Sequence, residues 1–245
     1  MNFGASTFIW ASPFSTKTLG LVKKVHDMGF DIIEVCIEDP ALIDSGRTKE
    51  SLTENAIGST ICGAFGPDRD ASSEDKSIRE NAVKYLEACI DVAQAIGAPL
   101  VAGPMYSAVG KTRLLSPSER AEQWNLGIET LKPVADYAGE RGVRLAIEPL
   151  NRFETDFINT AEQGLDLVDR IGAYAQAAAS IVQGDEFGGA DARRRCAAGS
   201  NGGRTGRVSR FSSVGYFPRS LALVALPDCC GLHYWVYGVR VADSS

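Results

Sequence analysis

The first 172 residues alternate between short apolar runs and longer stretches whose apolar positions have helical spacing. The apolar runs predict five strands, at residues 2–10, 31–37, 59–64, 99–102 and 143–147. Between and after them, apolar residues recur every three or four positions. This spacing predicts helices over about 16–28, 49–56 and 78–96, then from Ser116 to Gly142 and from Thr160 to Gly172. Five strand-then-helix units in succession predict a parallel sheet with right-handed crossovers.

Two α/β architectures are compatible with this order of elements. A doubly wound sheet can be built from about five strands, whereas a (β/α)8 barrel takes about 250 residues. The chain has 245 residues, and no glycine-rich phosphate loop follows its first strand. The missing loop counts against a nucleotide-binding doubly wound sheet. Polar and aromatic residues follow the strands, which suits either fold, so both remain open on the pattern alone.

The stretch VRLAIEPLNRFET, residues 143–155, carries the most informative candidate chemistry. Its apolar run ends at Glu148, Pro149 follows, and a second carboxylate stands at Glu154. Barrel enzymes place their functional groups at the carboxyl ends of the strands, where Glu148 would lie. An acid after a strand is also common in solvated loops, where Arg152 would be its ion-pair partner. The spacing by itself leaves both interpretations open.

The periodic pattern stops at residue 172. Residues 173–245 contain eight arginines, no lysine and five acids, and only 221–226 and 232–241 predict strands. We therefore divide the chain into a barrel domain, 1–172, and an atypical Arg/Gly/Ala-rich tail, 173–245. A nucleic-acid-binding arm and a flexible linker are two interpretations of the tail. Translation in a shifted reading frame fits the tail better than either of these, because two changes coincide at residue 172. The periodicity is lost there, and all basic residues beyond it are arginines. A sheet that ended with the fifth strand would expose the edges of strands one and five.

Composition restricts the classes of function. Hydrophobic residues make up 44% of the chain and the net charge is −6, so we expect a sizeable core and no nucleic-acid partner. No apolar run approaches the length of a membrane span, and the N-terminus lacks the basic region of a signal peptide. Cys36, Cys62 and Cys89 lie within apolar strand or helix patterns, which predicts buried thiols. None of the six cysteines has metal-site spacing, which predicts a cytoplasmic protein.

Three strings, GAFGPDRDASSED at 63–75, VAGPMYSAVGK at 101–111 and AIEPLNRFET at 146–155, resemble the sugar phosphate isomerase/epimerase superfamily. The resemblance covers about residues 2–172 and is strongest to the D-tagatose/D-psicose 3-epimerases. It implies a TIM barrel of the xylose isomerase-like type, (β/α)8, here incomplete with about five βα units. It also implies a small-molecule sugar substrate, carbohydrate metabolism, and a homo-oligomer, since barrels of this family often pair. The C-terminal third does not match.

The resemblance further implies a divalent metal, Mn, Co or Mg, held by two Glu, one Asp and one His. Glu148 matches the first metal-binding glutamate, which in the family is also one of two acid/base carboxylates. Glu154 matches a glutamate that binds the substrate, and Trp10 and Phe14 fall where aromatic residues wall the sugar pocket. In this chemistry a carboxylate removes a proton next to the ketose carbonyl, an enediolate forms, and a second acid returns the proton to the other face.

The other ligands of that set have no counterpart in the sequence. No Asp-x-x-His occurs, the only histidines are His26 and His233, and the last glutamate is Glu186. We expect His26 on a helix surface and His233 in a strand. The sequence therefore predicts a metal-dependent ketose 3-epimerase-like protein that is inactive as this chain. One alternative is a non-catalytic barrel fragment or binding module. Another is an endonuclease-IV-like phosphodiesterase of the same fold, which would need several histidines.

Overall fold

The computed structural model describes residues 2–172, 175–177, 221–227 and 233–239. One sheet holds six strands in chain order, each parallel to the next. The strands are β1 Gly4–Ser6, β2 Ile32–Ile37, β3 Gly58–Gly63, β4 Leu100–Gly103, β5 Arg144–Ile147 and β6 Ala175–Ala177. The helices between them are α1 Gly20–Asp27, α2 Ser45–Glu54, α3 Lys76–Ile96, α4 Pro117–Glu140 and α5 Ala161–Ile171. The five predicted strand–helix units are thus confirmed.

Local hydrogen bonds explain why the helices begin and end where they do. Ser116 and Thr160 cap α4 and α5 in capping boxes, with Glu119 and Gln163 as the reciprocal partners. Gly97 ends α3 in the left-handed conformation, at φ 81°. All of these signals are readable from short sequence patterns.

The first predicted strand, 2–10, is too long. β1 ends at Ser6, and Thr7–Ile9 form a short 3-10 helix instead. The Ser6 hydroxyl accepts a hydrogen bond from the Phe8 amide at 3.4 Å, and the Trp10 amide donates to the Thr7 carbonyl at 3.0 Å. A serine cap inside an apolar run therefore turns the chain out of the sheet.

The sheet continues beyond the predicted boundary at residue 172. β6 pairs in parallel with β5, with Leu145 opposite Ala175 and Ile147 opposite Ala177. The prediction that the fifth strand has an exposed edge is therefore wrong. Farther along, β7, Leu221–Pro227, and β8, His233–Val239, form an antiparallel pair, which confirms the two strands predicted in the tail. β8 lies close to β1. The arginine-rich stretch, and Glu186 with it, lie outside the described residues.

The core lies between the sheet and the surrounding helices. All six residues of β2, IIEVCI, are buried, as expected of a parallel strand covered on both faces. α3 contributes a stripe of buried residues to the same core, namely Ala82, Tyr85, Leu86, Cys89, Ile90, Ala93 and Ile96. Glu34 is the one acid inside β2, so its carboxyl group must be accommodated within the fold. Among the described residues, no helix combines the length and apolar character that a membrane crossing requires.

Candidate active-site cavity

A cavity of about 600 Å³ opens at the carboxyl ends of β1 to β5. The described residues bring four carboxylates to its lining, Glu34, Glu38, Glu148 and Glu154. Arg69 is the cationic side chain among these lining residues. In a parallel barrel this end of the sheet is where the strand loops converge, so the position suits a functional site.

Glu148 lies directly after β5, as the sequence predicted. Its amide donates to the Gly103 carbonyl at the end of β4 over 3.1 Å. Its own carbonyl accepts the Tyr106 hydroxyl at 2.9 Å, and the same hydroxyl also reaches the Ile158 carbonyl at 3.1 Å. Tyr106 is fully buried. The backbone that carries Glu148 is therefore held from both sides, and its half-buried side chain lines the cavity.

Glu154 reaches the same cavity from the loop after β5. The Asn151 side chain accepts the Phe153 amide at 2.9 Å and donates to the Glu154 carboxylate. The Glu154 carbonyl accepts the Gly110 amide at 2.7 Å, which joins this loop to the one after β4. Asn151 therefore orients the carboxylate, and the cross-loop bond fixes its backbone. The structure thus brings the two predicted glutamates to one cavity.

Glu34 is a site residue that the sequence analysis did not single out. It is 7% exposed, and burial raises the pKa of its carboxyl well above the usual range, as do the nearby Cys36 and Glu148. A carboxyl group in this setting favours its neutral form. The sequence signal that could have identified Glu34 is a single acid within an otherwise apolar strand. Only the tertiary structure places it beside the cavity.

Arg69 places a positive charge at the rim. Its guanidinium donates to the Glu38 carbonyl at 2.8 Å and lies 4.3 Å from the centre of the Tyr85 ring. The Tyr85 hydroxyl in turn bonds the Ile37 carbonyl and accepts the Ala64 amide at 2.7 Å. The ends of β2 and β3 are therefore tied together through one buried tyrosine, and the cation is held against its face.

The structure does not bring Trp10 and Phe14 to the cavity. Phe14 is 1% exposed within the hydrophobic core, and the Trp10 ring is covered by the Lys24 ammonium at 4.6 Å. Neither belongs to the described residues that line the cavity, which instead include the aromatic rings of Phe8 and Phe65. The cause is the 3-10 helix after Ser6, which ends the strand early and gives Phe8 the position at the cavity. The structure thus places Trp10 and Phe14 outside the described lining of this cavity, and their place in the wall of a sugar pocket stays a prediction.

The metal set implied by the resemblance is only partly present in the described residues. His26 is exposed on α1, 3.5 Å from the carboxylate of Asp27, which agrees with the expected surface position. His233 lies in β8, which agrees with the expected strand. Within the described ranges, no aspartate or histidine joins Glu148 in a group at metal-ligand spacing. The described residues thus supply one of the four implied ligands, Glu148, and no reaction step is assigned to that cation.

Comparison with known proteins identifies the family. Residues 22–177 match the model of the xylose isomerase-like TIM barrel. The chain belongs to this family, and its predicted fold class is confirmed. An L-ribulose 3-epimerase from Mesorhizobium japonicum is 31% identical over 173 residues, which cover 70% of this chain and 57% of the relative. A D-psicose 3-epimerase from Agrobacterium fabrum is 28% identical over 177 residues, covering 70% of this chain and 60% of the relative.

Solved structures agree with these relatives. The structure of an L-ribulose 3-epimerase has a TM-score of 0.65 at 31% identity, covering 72% of this chain and 60% of that one. A D-allulose 3-epimerase from Methylomonas sp. has a TM-score of 0.65 at 27% identity, covering 72% and 64%. The chain thus spans about three fifths of the length of the curated relatives it matches. Its homologues are ketose 3-epimerases, as the resemblance implied.

Proposed function

We propose that the barrel part of this chain is the ketose-binding portion of a sugar epimerase, with Glu148 as its proton-transfer carboxylate. The observation that carries the proposal is the meeting of Glu148 and Glu154 in one cavity, at the carboxyl ends of the strands, in a chain whose homologues are ketose 3-epimerases. A carboxylate at this position can remove a proton from the carbon next to a ketose carbonyl. The electron pair moves to the carbonyl oxygen, and an enediolate results.

Glu154 would bind the sugar rather than move its proton. Its carboxylate is oriented by Asn151 and faces the same cavity as Glu148. An oriented carboxylate accepts hydrogen bonds from sugar hydroxyls at a defined position, and such positioning groups act mainly through substrate binding. Arg69 gives the lining a positive charge, which favours electron-rich oxygens nearby.

We further propose that the chain as given does not complete an epimerase site. Inversion needs a second acid on the opposite face of the reacting carbon, and the family's remaining ligands have no counterpart in this sequence. The endonuclease-IV-like alternative needs several histidines, and the chain has two, of which His26 lies on an exposed helix face. A non-catalytic ketose-binding fragment remains the second candidate function.

The experiment is a ketose incubation of the full chain in D2O with added Mg²⁺, a diamagnetic ion of the implied set, read by NMR. We expect saturation-transfer signals from a bound ketose such as D-tagatose, and no epimer. Glu154→Gln should weaken ketose binding at least ~10-fold. The matched control is Glu50→Gln, an exposed glutamate on α2, which should bind as the parent does.

The possible results separate the parts of the proposal. Epimer formation would show that the site is complete, and then Glu148→Gln should lower the rate at least ~100-fold. Deuterium incorporation next to the carbonyl without epimer would indicate proton removal and return on one face, and it should depend on Glu148. Absence of any ketose binding would refute the assignment of the cavity to a sugar.

A separate proposal concerns the sequence beyond the family match, which ends at residue 177. We propose that most of the segment 173–245 is read in a shifted frame, because its basic residues are arginine only and its periodicity is lost. The test is the coding DNA after this point, read in all three frames. An alternative frame should encode an Asp-x-x-His strand and a late glutamate. If neither alternative frame encodes them, the interpretation is wrong.

A further inference from the structure

Two cysteines and one glutamate meet beside the cavity, and two of the three line it. Glu34 and Cys36 are two residues apart on β2, so their side chains point to the same side of the sheet. Cys62 is the register partner of Cys36 on β3. A carboxylate oxygen of Glu34 and the two sulfur atoms all lie within 4.8 Å of one another. We call these three residues the thiol–carboxylate cluster.

The cluster contains a buried polar atom without a partner. Glu34 is 7% exposed, and its Oε2 has no hydrogen-bond partner among the described residues. Leaving a buried carboxyl oxygen unpaired is costly, so such atoms in native proteins call for an explanation, of which a bound ion is one. Glu34 and Cys62 also line the cavity, so an ion could enter from it.

We propose that the thiol–carboxylate cluster binds a thiophilic divalent cation of the zinc class. A tetrahedral zinc ion with Zn–S distances of about 2.3 Å and Zn–O distances of about 2.1 Å places its ligand atoms about 3.5–3.8 Å apart. Ligand atoms within 4.8 Å of one another reach that spacing with small side-chain movements. Three protein ligands leave the fourth position open toward the cavity.

The chemistry of the donors selects this class of ion. Thiolates favour Zn²⁺ and similar soft cations, whereas Mg²⁺ and Mn²⁺ favour oxygen ligands. The proposed ion therefore differs from the hard cation implied by the family resemblance, and its site uses none of the residues matched to that cation. The proposal also does not depend on sugar binding.

The surroundings of the two thiols favour loss of a proton from one of them. Burial raises the pKa of the Cys36 thiol, but hydrogen bonds from Cys62, Ser6 and Thr7 outweigh it and hold the pKa below the usual thiol range. The Ser6 hydroxyl lies 3.0 Å from the Cys36 sulfur. The hydrogen bond to Cys36 raises the pKa of Cys62, and burial raises it further. Each of the three groups binds a metal in its deprotonated form, so metal binding would release to solvent the protons that the two thiols and the Glu34 carboxyl still hold.

The test uses the full chain under reducing conditions, with the three cysteines beyond residue 172 replaced by serine. Co²⁺ is titrated first, because a thiolate ligand gives it a near-ultraviolet charge-transfer band, and Zn²⁺ then competes for the site. We expect one cobalt per chain, full displacement by Zn²⁺ and no displacement by Mg²⁺. Cys36→Ser and Cys62→Ser should each lower the charge-transfer absorbance per bound cobalt about two-fold and weaken Zn²⁺ binding at least ~100-fold.

Cys89→Ser is the matched control. Cys89 is fully buried on α3 and lies outside the thiol–carboxylate cluster, so its replacement should leave the band and the affinity unchanged. Glu34→Gln keeps both thiols and should keep the band but weaken Zn²⁺ binding at least ~10-fold. If Cys36→Ser does not fold, Cys62→Ser tests the same site at a partly exposed position.

Some results would overturn the proposal. Absence of a thiolate band in the folded starting protein would do so. A band and a Zn²⁺ affinity in both Cys36→Ser and Cys62→Ser that equal those of the starting protein would also do so. Unchanged Zn²⁺ affinity in Glu34→Gln would remove the carboxylate from the site and refute the three-ligand arrangement.

Discussion

Replacing Lys111 by methionine removes the charge of a buried ion pair with Asp70 and keeps most of the aliphatic chain. The Lys111 ammonium lies 2.6 Å from the Asp70 carboxylate, and the two side chains are only 17% and 7% exposed. The ammonium also donates to the Ser72 hydroxyl at 3.1 Å and to its carbonyl at 3.3 Å. The pair therefore joins the loop after β3 to the loop after β4.

The expected loss follows from the charge left behind. Removing one partner of a buried pair costs about 3–5 kcal/mol, because the other charge stays buried without compensation. Asp70 would keep two hydrogen bonds, from the Ser72 amide and hydroxyl, each at 2.9 Å. We therefore expect Lys111→Met to lower the free energy of unfolding by about 3 kcal/mol, at the lower end of that range. Adding Asp70→Asn removes the stranded charge and should recover part of the loss.

The chain offers a control with the same separation but full exposure. The Lys23 ammonium lies 2.6 Å from the Asp27 carboxylate on α1, with side-chain exposures of 67% and 53%. Exposed pairs contribute little, so Lys23→Met should leave stability unchanged within error. Urea unfolding followed by circular dichroism measures both variants. If Lys111→Met and Lys23→Met unfold at the same midpoint, burial does not determine the contribution of the pair and the reasoning fails.

The same variant should affect the cavity. Lys111 follows Gly110, whose amide bonds the Glu154 carbonyl at 2.7 Å, and the Lys111 carbonyl accepts the Asp156 amide at 2.9 Å. Loosening this loop should therefore weaken ketose binding even though Lys111 does not line the cavity. Saturation-transfer NMR checks this, with Lys23→Met again as the control. Unchanged ketose binding in folded Lys111→Met would show that the loop contacts do not position Glu154.

Three further substitutions test the supports of the site. Tyr106→Phe removes the hydroxyl that bonds two carbonyls at 2.9 and 3.1 Å, and it should cost about 1–3 kcal/mol in urea unfolding. The control is Tyr137→Phe, whose hydroxyl bonds the exposed Asp91 carboxylate at 2.9 Å. A loss in Tyr106→Phe no larger than in this control would contradict the expectation. Gly127→Ala places a Cβ 2.9 Å from the buried Phe157 ring, so we expect overpacking of about 1–3 kcal/mol, seen as a lower melting temperature. Hydrogen bonds from Arg113 and Gln123 hold the pKa of Asp156 below its usual value although burial raises it. That stabilisation is present above the unfolded-state pKa and is lost as pH falls through the folded-state pKa. We therefore expect Asp156→Asn to be less stable than the parent chain near pH 7 and to lose less stability than the parent as pH falls toward 3. Parallel stability–pH profiles of the two proteins would refute this expectation.

The helices were predictable because their ends are set by local contacts. The Ser116 and Thr160 capping boxes and the Gly97 stop each involve residues within a few positions, so their residue types suffice to place them. The position of Glu148 was also accessible, since a run of apolar residues that ends in an acid and a proline defines the end of a buried strand. The first strand was predicted too long, because one hydrogen bond at the Ser6 cap outweighs the strand preference of Phe8 and Ile9.

The sequence by itself thus determined the order of strands and helices, the helix caps, and the strand-end position of Glu148, all of which depend on neighbours along the chain. Only the tertiary structure decided that β6 covers the edge of β5, and that Phe8 rather than Trp10 or Phe14 reaches the cavity. It alone placed Cys36 opposite Cys62, beside Glu34. The physical reason is that parallel strands are paired across long connections. The register that brings distant side chains together is set by packing of the whole sheet, which no local pattern records.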